Sequence, residues 1–349
     1  MTSGGVNTMQ AAVLTRARHL EMRELRIPDP GPGEVRVRVG ATGVCGTDLH
    51  LFEGHFGAVF PLTPGHEIAG VVDAVGAGVS LLEGERVALD PVISCGHCHH
   101  CKRGARHHCL NYAALGVTRA GGFAEYVIAP AANAYPVGNL SLEVAAFAEP
   151  LGCVVWGIER LQTPLASSAL LFGAGPIGLL LMQALLASGV ASVAVVEPSA
   201  DRRAVALKLG ARVALAPGAD LGVHLRDLEP YGFDIVTEAT GIPSVLEGLL
   251  EYAAPLGKVL YYGVPPEQAR ISVEAYQVFR RDLTILGSFS LLGTVPKALA
   301  WLETGRVRVE ELISHRLPIG DLATALAYKD HPGMAGSQKV LIVPNGHAH

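Results

Sequence analysis

A six-residue turn constrains this chain more than any other feature. Gly173-Ala-Gly-Pro-Ile-Gly178 stands between the apolar run Ala169-Leu-Leu-Phe172 and a second apolar run from Ile177 to Ser188, and Glu197 ends the next apolar segment nineteen residues after Gly178. Glycines at these spacings let the backbone turn tightly and approach a pyrophosphate at a helix N-terminus, while the acid accepts hydrogen bonds from ribose hydroxyls. The pattern predicts the strand, turn and helix of a dinucleotide-binding unit. Glu197 repels a 2′-phosphate, so NAD is expected over NADP, with Arg202 and Arg203 close enough to soften the preference. The same turn answers a membrane reading. No charged residue occurs from Leu161 to Val196, long enough to span a bilayer, but the turn divides that stretch into a buried strand and a buried helix.

The surrounding pattern extends this unit. Strand-like runs at Ser192 to Val196, Phe233 to Val236 and Lys258 to Tyr262 alternate with helix-like runs at Asp201 to Gly210 and Pro243 to Tyr252. Alternating βα units predict an α/β fold with a doubly wound parallel sheet. Before Glu149 the signals differ: Val35-Arg-Val-Arg-Val39 alternates with period two, and Gly/Pro clusters mark turns, so this part is expected to be mostly β. Beyond Ser290 a helix-like stretch, Val295 to Glu303, and a strand, Gln338 to Val343, are expected. Met1 to Asn7 has neither a basic start nor an apolar core, so it is expected to be a floppy terminus and not a signal peptide. With 349 residues the length suggests two domains. Twenty-seven basic against 32 acidic residues, a net charge of −5, argue against nucleic-acid or membrane-surface binding.

Four of the six cysteines, Cys95, Cys98, Cys101 and Cys109, fall within fifteen residues. Four thiolates fill a zinc tetrahedron, and a closed site of that kind ties a lobe together without doing chemistry. An iron–sulfur cluster fits less well, because no proline follows the last cysteine. His97, His99, His100, His107 and His108 crowd the same loop and are expected to be solvent-exposed. The uneven spacing excludes a disulfide framework, so the thiols are read as reduced and the protein as cytoplasmic.

The other polar residues are scattered: Cys45, Thr47 and His50, then His66 and Glu67, then Glu149 ahead of Pro150. Together they offer one thiolate, one imidazole and two carboxylates, which suits a catalytic zinc with an open position. Cys153, one helical turn after Glu149, is a rival ligand.

These motifs, in this order, resemble the zinc-containing medium-chain alcohol and polyol dehydrogenases over nearly the whole chain. Gly65-His-Glu67 with Gly70 and Gly76 is similar to that family's zinc signature, and Glu149-Pro-Leu151 to its sorbitol and threonine dehydrogenase branch. The resemblance implies a GroES-like β-rich catalytic domain from residues 1–148 and 290–349, with a structural zinc lobe near residues 90–112. It implies a Rossmann NAD-binding domain at 149–289. It also implies two zinc ions per chain, one held by Cys45, His66 and either Glu149 or Glu67. Thr47 would lie beside the reacting hydroxyl and His50 at the outer end of a proton relay. Cofactor contacts are implied at Gly173, Gly175, Pro176, Ile177, Gly178, Glu197, Arg202, Gly263, Val264, Ser288 and Phe289.

One departure stands out. Sorbitol dehydrogenases usually carry an Arg-Tyr pair where this chain has Phe289-Ser-Leu-Leu-Gly-Thr294. The expected function is hydride transfer between NAD and a small secondary alcohol: a polyol, a sugar alcohol or an amino alcohol such as threonine. The alternatives are an aldehyde or ketone reductase of the same family and a catalytically silent nucleotide-binding protein on the same fold. The resemblance implies a homodimer or homotetramer.

Overall fold

The computed structural model describes residues 7–330 and 337–346, so the expected floppy segment lies almost wholly outside the described residues. Two compact units emerge: Met1–Pro150 with Val295–Glu303 and Leu312–His349, and Leu151–Thr294 with Thr304–Glu311.

The first unit is built on a seven-stranded sheet. Its path runs Ile313–Leu317, Lys339–Ile342, Glu34–Gly43, Glu67–Val75, Arg86–Leu89 and Ala134–Pro136, and Tyr126–Pro130 joins from the side on Glu34–Gly43. The alternation at residues 35–39 does what period two requires. Val35, Val37 and Val39 are fully buried against Ile68, Val72, Val87, Leu89 and Val127, with the intervening arginines on the other face. Register then decides what sits at the end of that long central strand. Gly43 pairs with Glu67 on one side and with Leu341 on the other, so the first residue of one neighbour and the third of the other meet at the same place.

The second unit carries a six-stranded, wholly parallel sheet. In space its strands run Val213–Leu215, Ser192–Val196, Ser168–Phe172, Phe233–Glu238, Ala253–Tyr261 and Thr284–Gly287. In chain order that is 3-2-1-4-5-6, the arrangement of doubly wound dinucleotide-binding sheets. The helix Pro176–Ala187 behind the glycine turn is buried from Gly178 to Leu185, which accounts for the long uncharged run. Among the described residues no helix is long and apolar enough to cross a membrane.

The structure adds elements that the apolar pattern did not suggest. Val213–Leu215 and Thr284–Gly287 are short edge strands with half-exposed residues, so neither shows a buried apolar run. Leu221–Leu228 and Leu322–Asp330 are short helices, and Ile313–Leu317 is a further edge strand. The inserted unit runs from Leu151 to Thr294 where 149–289 was expected, and it also takes in Thr304–Glu311. Two sets of polar contacts, one buried and one partly buried, tie these segments in. Thr294 Oγ1 donates to Gly152 O at 2.6 Å, and Gln183 exchanges hydrogen bonds with the backbone of Arg308 at 2.9 and 3.0 Å.

Candidate metal centres and dinucleotide loop

Cys45 leaves the central strand of the first unit and caps the helix Gly46–Phe52. Asp48, three residues on and 1% exposed, is the organiser of this corner. Its Oδ2 accepts from the Cys45 backbone N–H at 2.8 Å, its Oδ1 from that of Gly65 at 3.2 Å, and Oδ1 lies 3.5 Å from His66 Nδ1. Two segments twenty residues apart are thereby joined by one carboxylate. The result is convergence: donor atoms of Cys45, His66 and Glu67 all lie within 4.8 Å of one another. Thr47 Oγ1 is 3.9 Å from Cys45 Sγ. Burial by itself would depress the His66 pKa, but the charge and hydrogen bonding of Asp48, helped by Cys45, raise it well above the usual histidine value. A carboxylate behind a histidine in this way makes the ring a stronger electron-pair donor.

The sequence reading missed Lys339. Its ammonium is buried and donates to Glu67 Oε1 at 2.5 Å, contacts Glu67 Oε2, and donates to Val44 O at 3.2 Å. Burial opposes its charge, yet Glu67, Cys45 and Glu149 together raise its pKa above the ordinary lysine value. Gly43 leaves room for the pair: a Cβ there would overlap Glu67 Oε2 and crowd Lys339 Cε. Glu149, in the first turn of the helix Ala148–Leu161, is buried and acts on the same ammonium, although the 4.8 Å trio does not include it. A thiolate, an imidazole and buried carboxylates are the mixed sulfur, nitrogen and oxygen donors that zinc takes.

Cys95, Cys98, Cys101 and Cys109 form a second cluster, again within 4.8 Å. The backbone N–H groups of Cys95 and Asn111 both point at Cys109 Sγ, at 3.3 Å. Backbone N–H groups also pull the Cys95 and Cys98 thiols below the usual value, whereas burial and then the neighbouring thiols push Cys101 up. Four converging sulfurs of this kind fit a closed zinc site. Of the five loop histidines, His107 is buried instead of solvent-exposed, because the short turn Arg106–His108 faces it inward; His97, His99 and His108 are exposed and His100 half-exposed.

In the second unit the expected cofactor residues line up beyond the carboxyl ends of parallel strands, where such sheets bind ligands. Gly173 follows the Ser168–Phe172 strand, Glu197 follows Ser192–Val196, Gly263 and Val264 follow Ala253–Tyr261, and Ser288 and Phe289 follow Thr284–Gly287. Gly173 has φ +95°, and a Cβ on Gly178 would overlap Gly173 O. Above Gly175 the space is open, with Arg202 Nη1 nearest at 4.0 Å, which fits a backbone left bare for a pyrophosphate. Pro176 and Ile177 open the helix. Glu197 binds this turn directly: its Oε2 accepts from Ala174 N at 2.8 Å and its Oε1 from Ser199 N at 2.9 Å. Arg203 is committed to the carbonyls of Glu197 and Pro198. A second missed residue, the fully buried Glu238, accepts from the backbone of Thr240, Gly241, Tyr262 and Gly263, at 2.7 to 3.2 Å, and so joins two of these loops. Phe52 packs into the apolar core, whereas Phe56 and Phe289 are about half exposed.

Residues 31–139 match the alcohol dehydrogenase GroES-like domain, and residues 176–304 match the zinc-binding dehydrogenase domain. The chain belongs to the zinc-binding alcohol dehydrogenases. It is 39% identical to the D-altritol 5-dehydrogenase of Agrobacterium fabrum C58 over 86% of this chain and 90% of that one. A zinc-binding dehydrogenase structure from Sinorhizobium meliloti 1021, bound to NADP, superposes with TM-score 0.92 at 33% identity, covering 97% of this chain and all of the other. An alcohol dehydrogenase structure from Escherichia coli CFT073, complexed with NADH, superposes with TM-score 0.90 at 31% identity over the same shares. The protein is therefore a zinc- and nicotinamide-dependent dehydrogenase, with a GroES-like unit and a Rossmann unit.

Removing one partner of a buried ion pair leaves an uncompensated charge, which costs about 3–5 kcal/mol. Lys339→Met is expected to lower stability by that order in urea unfolding of the zinc-loaded protein and to speed zinc loss to a chelator. Adding Glu67→Gln should recover much of the stability. Equal stability of Lys339→Met and the parent would refute this account of the pair.

Proposed function

We propose that this dehydrogenase oxidises a small polar secondary alcohol carrying a neighbouring hydroxyl or amino group, with NAD as hydride acceptor. Polyols, sugar alcohols and amino alcohols such as threonine are the substrate class. The observation that carries this reading is the charge arrangement around Cys45. Lys339 neutralises Glu67, which leaves the Cys45 thiolate and the Glu149 carboxylate as the two negative charges for a dication. Cys45, His66 and Glu149 would then hold zinc with one position open, and Glu67 would stay on Lys339. When bound, zinc supplies Lewis acidity toward the substrate hydroxyl and the nicotinamide supplies the hydride acceptor.

The chain's own side chains handle the proton. Thr47 would accept it from the alcohol at Oγ1 while donating its own hydroxyl proton toward the cofactor ribose, and His50, half-exposed at the end of the same short helix, would pass a proton from there to water. Acidic, polar surroundings favour a ligand with a second polar group, because carboxylates beside an alkyl chain lose solvation at a cost of roughly several kcal/mol. The D-altritol enzyme among the relatives supports the same class.

We further propose a second zinc on Cys95, Cys98, Cys101 and Cys109. Six free cysteines, four of them in that cluster, support a reducing, cytoplasmic setting. The half-exposed edge strand Thr284–Gly287 supports a homodimer or homotetramer, since such edges seek a partner.

Measurements on the metals, the cofactor and the substrate check these assignments. Metal analysis of pure, active enzyme should give two zinc ions per chain. Cys109→Ser should release one of them and weaken folding or assembly, because metal affinity is folding energy at such a site. Cys45→Ser should abolish turnover in a folded protein that still binds NAD. For the cofactor, the Glu197 carboxylate should make NAD better than NADP by more than about tenfold in kcat/KM, or about 1.4 kcal/mol. Glu197→Ser should narrow the gap, and equal efficiency with both cofactors would contradict the argument. For the substrate, kcat/KM at saturating NAD should be higher on 2,3-butanediol, xylitol, arabitol or threonine than on 1-hexanol. The opposite order on every vicinal compound would refute the acidic-site argument.

A further inference from the structure

A third donor cluster stands at the far end of the short helix that Cys45 caps. His50 is in the last turn of the helix Gly46–Phe52, Glu53 is its C-cap, and Gly54, with φ +86°, turns the chain so that His55 comes back beside His50. Backbone bonds fix this reversal: Glu53 N donates to Leu49 O at 2.9 Å, Gly54 N to Leu51 O at 3.0 Å and His55 N to His50 O at 2.8 Å. One donor atom from each of His50, Glu53 and His55 lies within 4.8 Å of the other two. His55 Nδ1 is 3.5 Å from Glu53 Oε2, the two imidazole rings are 6.1 Å apart, and Phe56 lies against His50 with ring centroids 4.6 Å apart.

We propose that His50, Glu53 and His55 form a third cation site, taking a zinc-class ion from solution and shutting the proton exit while it is occupied. Two imidazoles and one carboxylate are a donor set for zinc, nickel or copper, and a poor one for magnesium or calcium, which take oxygen ligands. His55 is exposed and the other two are half-exposed, so an ion enters without unfolding anything. Arg18 Nη2, 3.6 Å from Glu53 Oε1, competes for the carboxylate. That competition keeps binding reversible and weaker than at either cysteine-containing centre. An imidazole whose lone pair is on a cation cannot accept a proton, so occupancy removes the base at the outer end of the relay. This inhibitory half rests on the role proposed above for His50; the cation site itself does not.

The test uses holoenzyme already loaded with zinc at its tight sites and freed of excess metal. ZnCl2 is titrated while the oxidation rate is followed at saturating alcohol and NAD, and bound zinc is counted by equilibrium dialysis. The parent should lose most of its rate reversibly, recovering on brief treatment with a weak chelator. It should also bind one more zinc than His55→Ala, which cancels any uptake by the histidines of the cysteine loop. His55→Ala and Glu53→Gln should keep the basal rate and need at least about tenfold more zinc for the same inhibition. Equal zinc uptake by the parent and both variants overturns the site. A His55-dependent equivalent that leaves the rate untouched overturns the inhibitory half and, with it, the assignment of His50 as the proton exit.

Discussion

The buried ammonium of Lys339 lies 272 residues along the chain from the carboxylate it meets. Neither group could stay charged there alone, because an isolated charge in a protein interior costs several kcal/mol even after relaxation. Held together, with Val44 O accepting a further hydrogen bond from the ammonium, they create a polar but nearly neutral floor beneath Cys45 and His66. A dication approaching that floor meets less negative charge than the Cys45 thiolate and two unpaired carboxylates would present. Its Lewis acidity is then not smothered by excess negative charge. The β-sheet makes this possible by register: Glu34–Gly43 is the strand between the two partners, and its terminal residue has no side chain to keep them apart.

Asp48 does the same kind of work over a shorter range. It spends one carboxylate oxygen on the Cys45 backbone and the other on Gly65 beside His66, so the two donor segments cannot drift independently. Glu238 repeats the device in the other unit, where a fully buried acid gathers the backbone of two loops at the carboxyl ends of neighbouring strands. In each case a carboxylate that does no chemistry fixes the backbone from which the chemistry is presented.

What could be read in the sequence follows from the same distinction. The glycine turn, Glu197 and the four clustered cysteines are legible because their meaning is local: spacing along the chain sets spacing in space. Cys45, His66, Glu67 and Glu149 were legible as a donor set by residue type, but only Lys339 singles out Glu67 as the acid held in a close ion pair. Lys339 stands in an ordinary strand-like run, Gln338-Lys-Val-Leu-Ile-Val343, where a lysine reads as a solvated residue. Only the pairing of Leu341 with Gly43 and of Gly43 with Glu67 brings it inside. Asp48 carried one usable signal, an acid three residues after a helix cap, and Glu238 carried none beyond ending a strand. The edge strands Val213–Leu215 and Thr284–Gly287 escaped because half-exposed edges lack the apolar signature of central strands.

The bare α-carbon of Gly43 has a consequence for how this protein can vary over generations. Its missing methyl group is the space that Glu67 and Lys339 occupy, so the three positions form a single unit of inheritance. A side chain at 43 is excluded while the pair remains, and neither charge can be lost first without stranding the other in the interior. Drift at Glu67 and Lys339 therefore requires paired change at two places far apart in the gene, with position 43 released only afterwards. The interior thus sets both which residues fit at this point and the order in which they could be replaced.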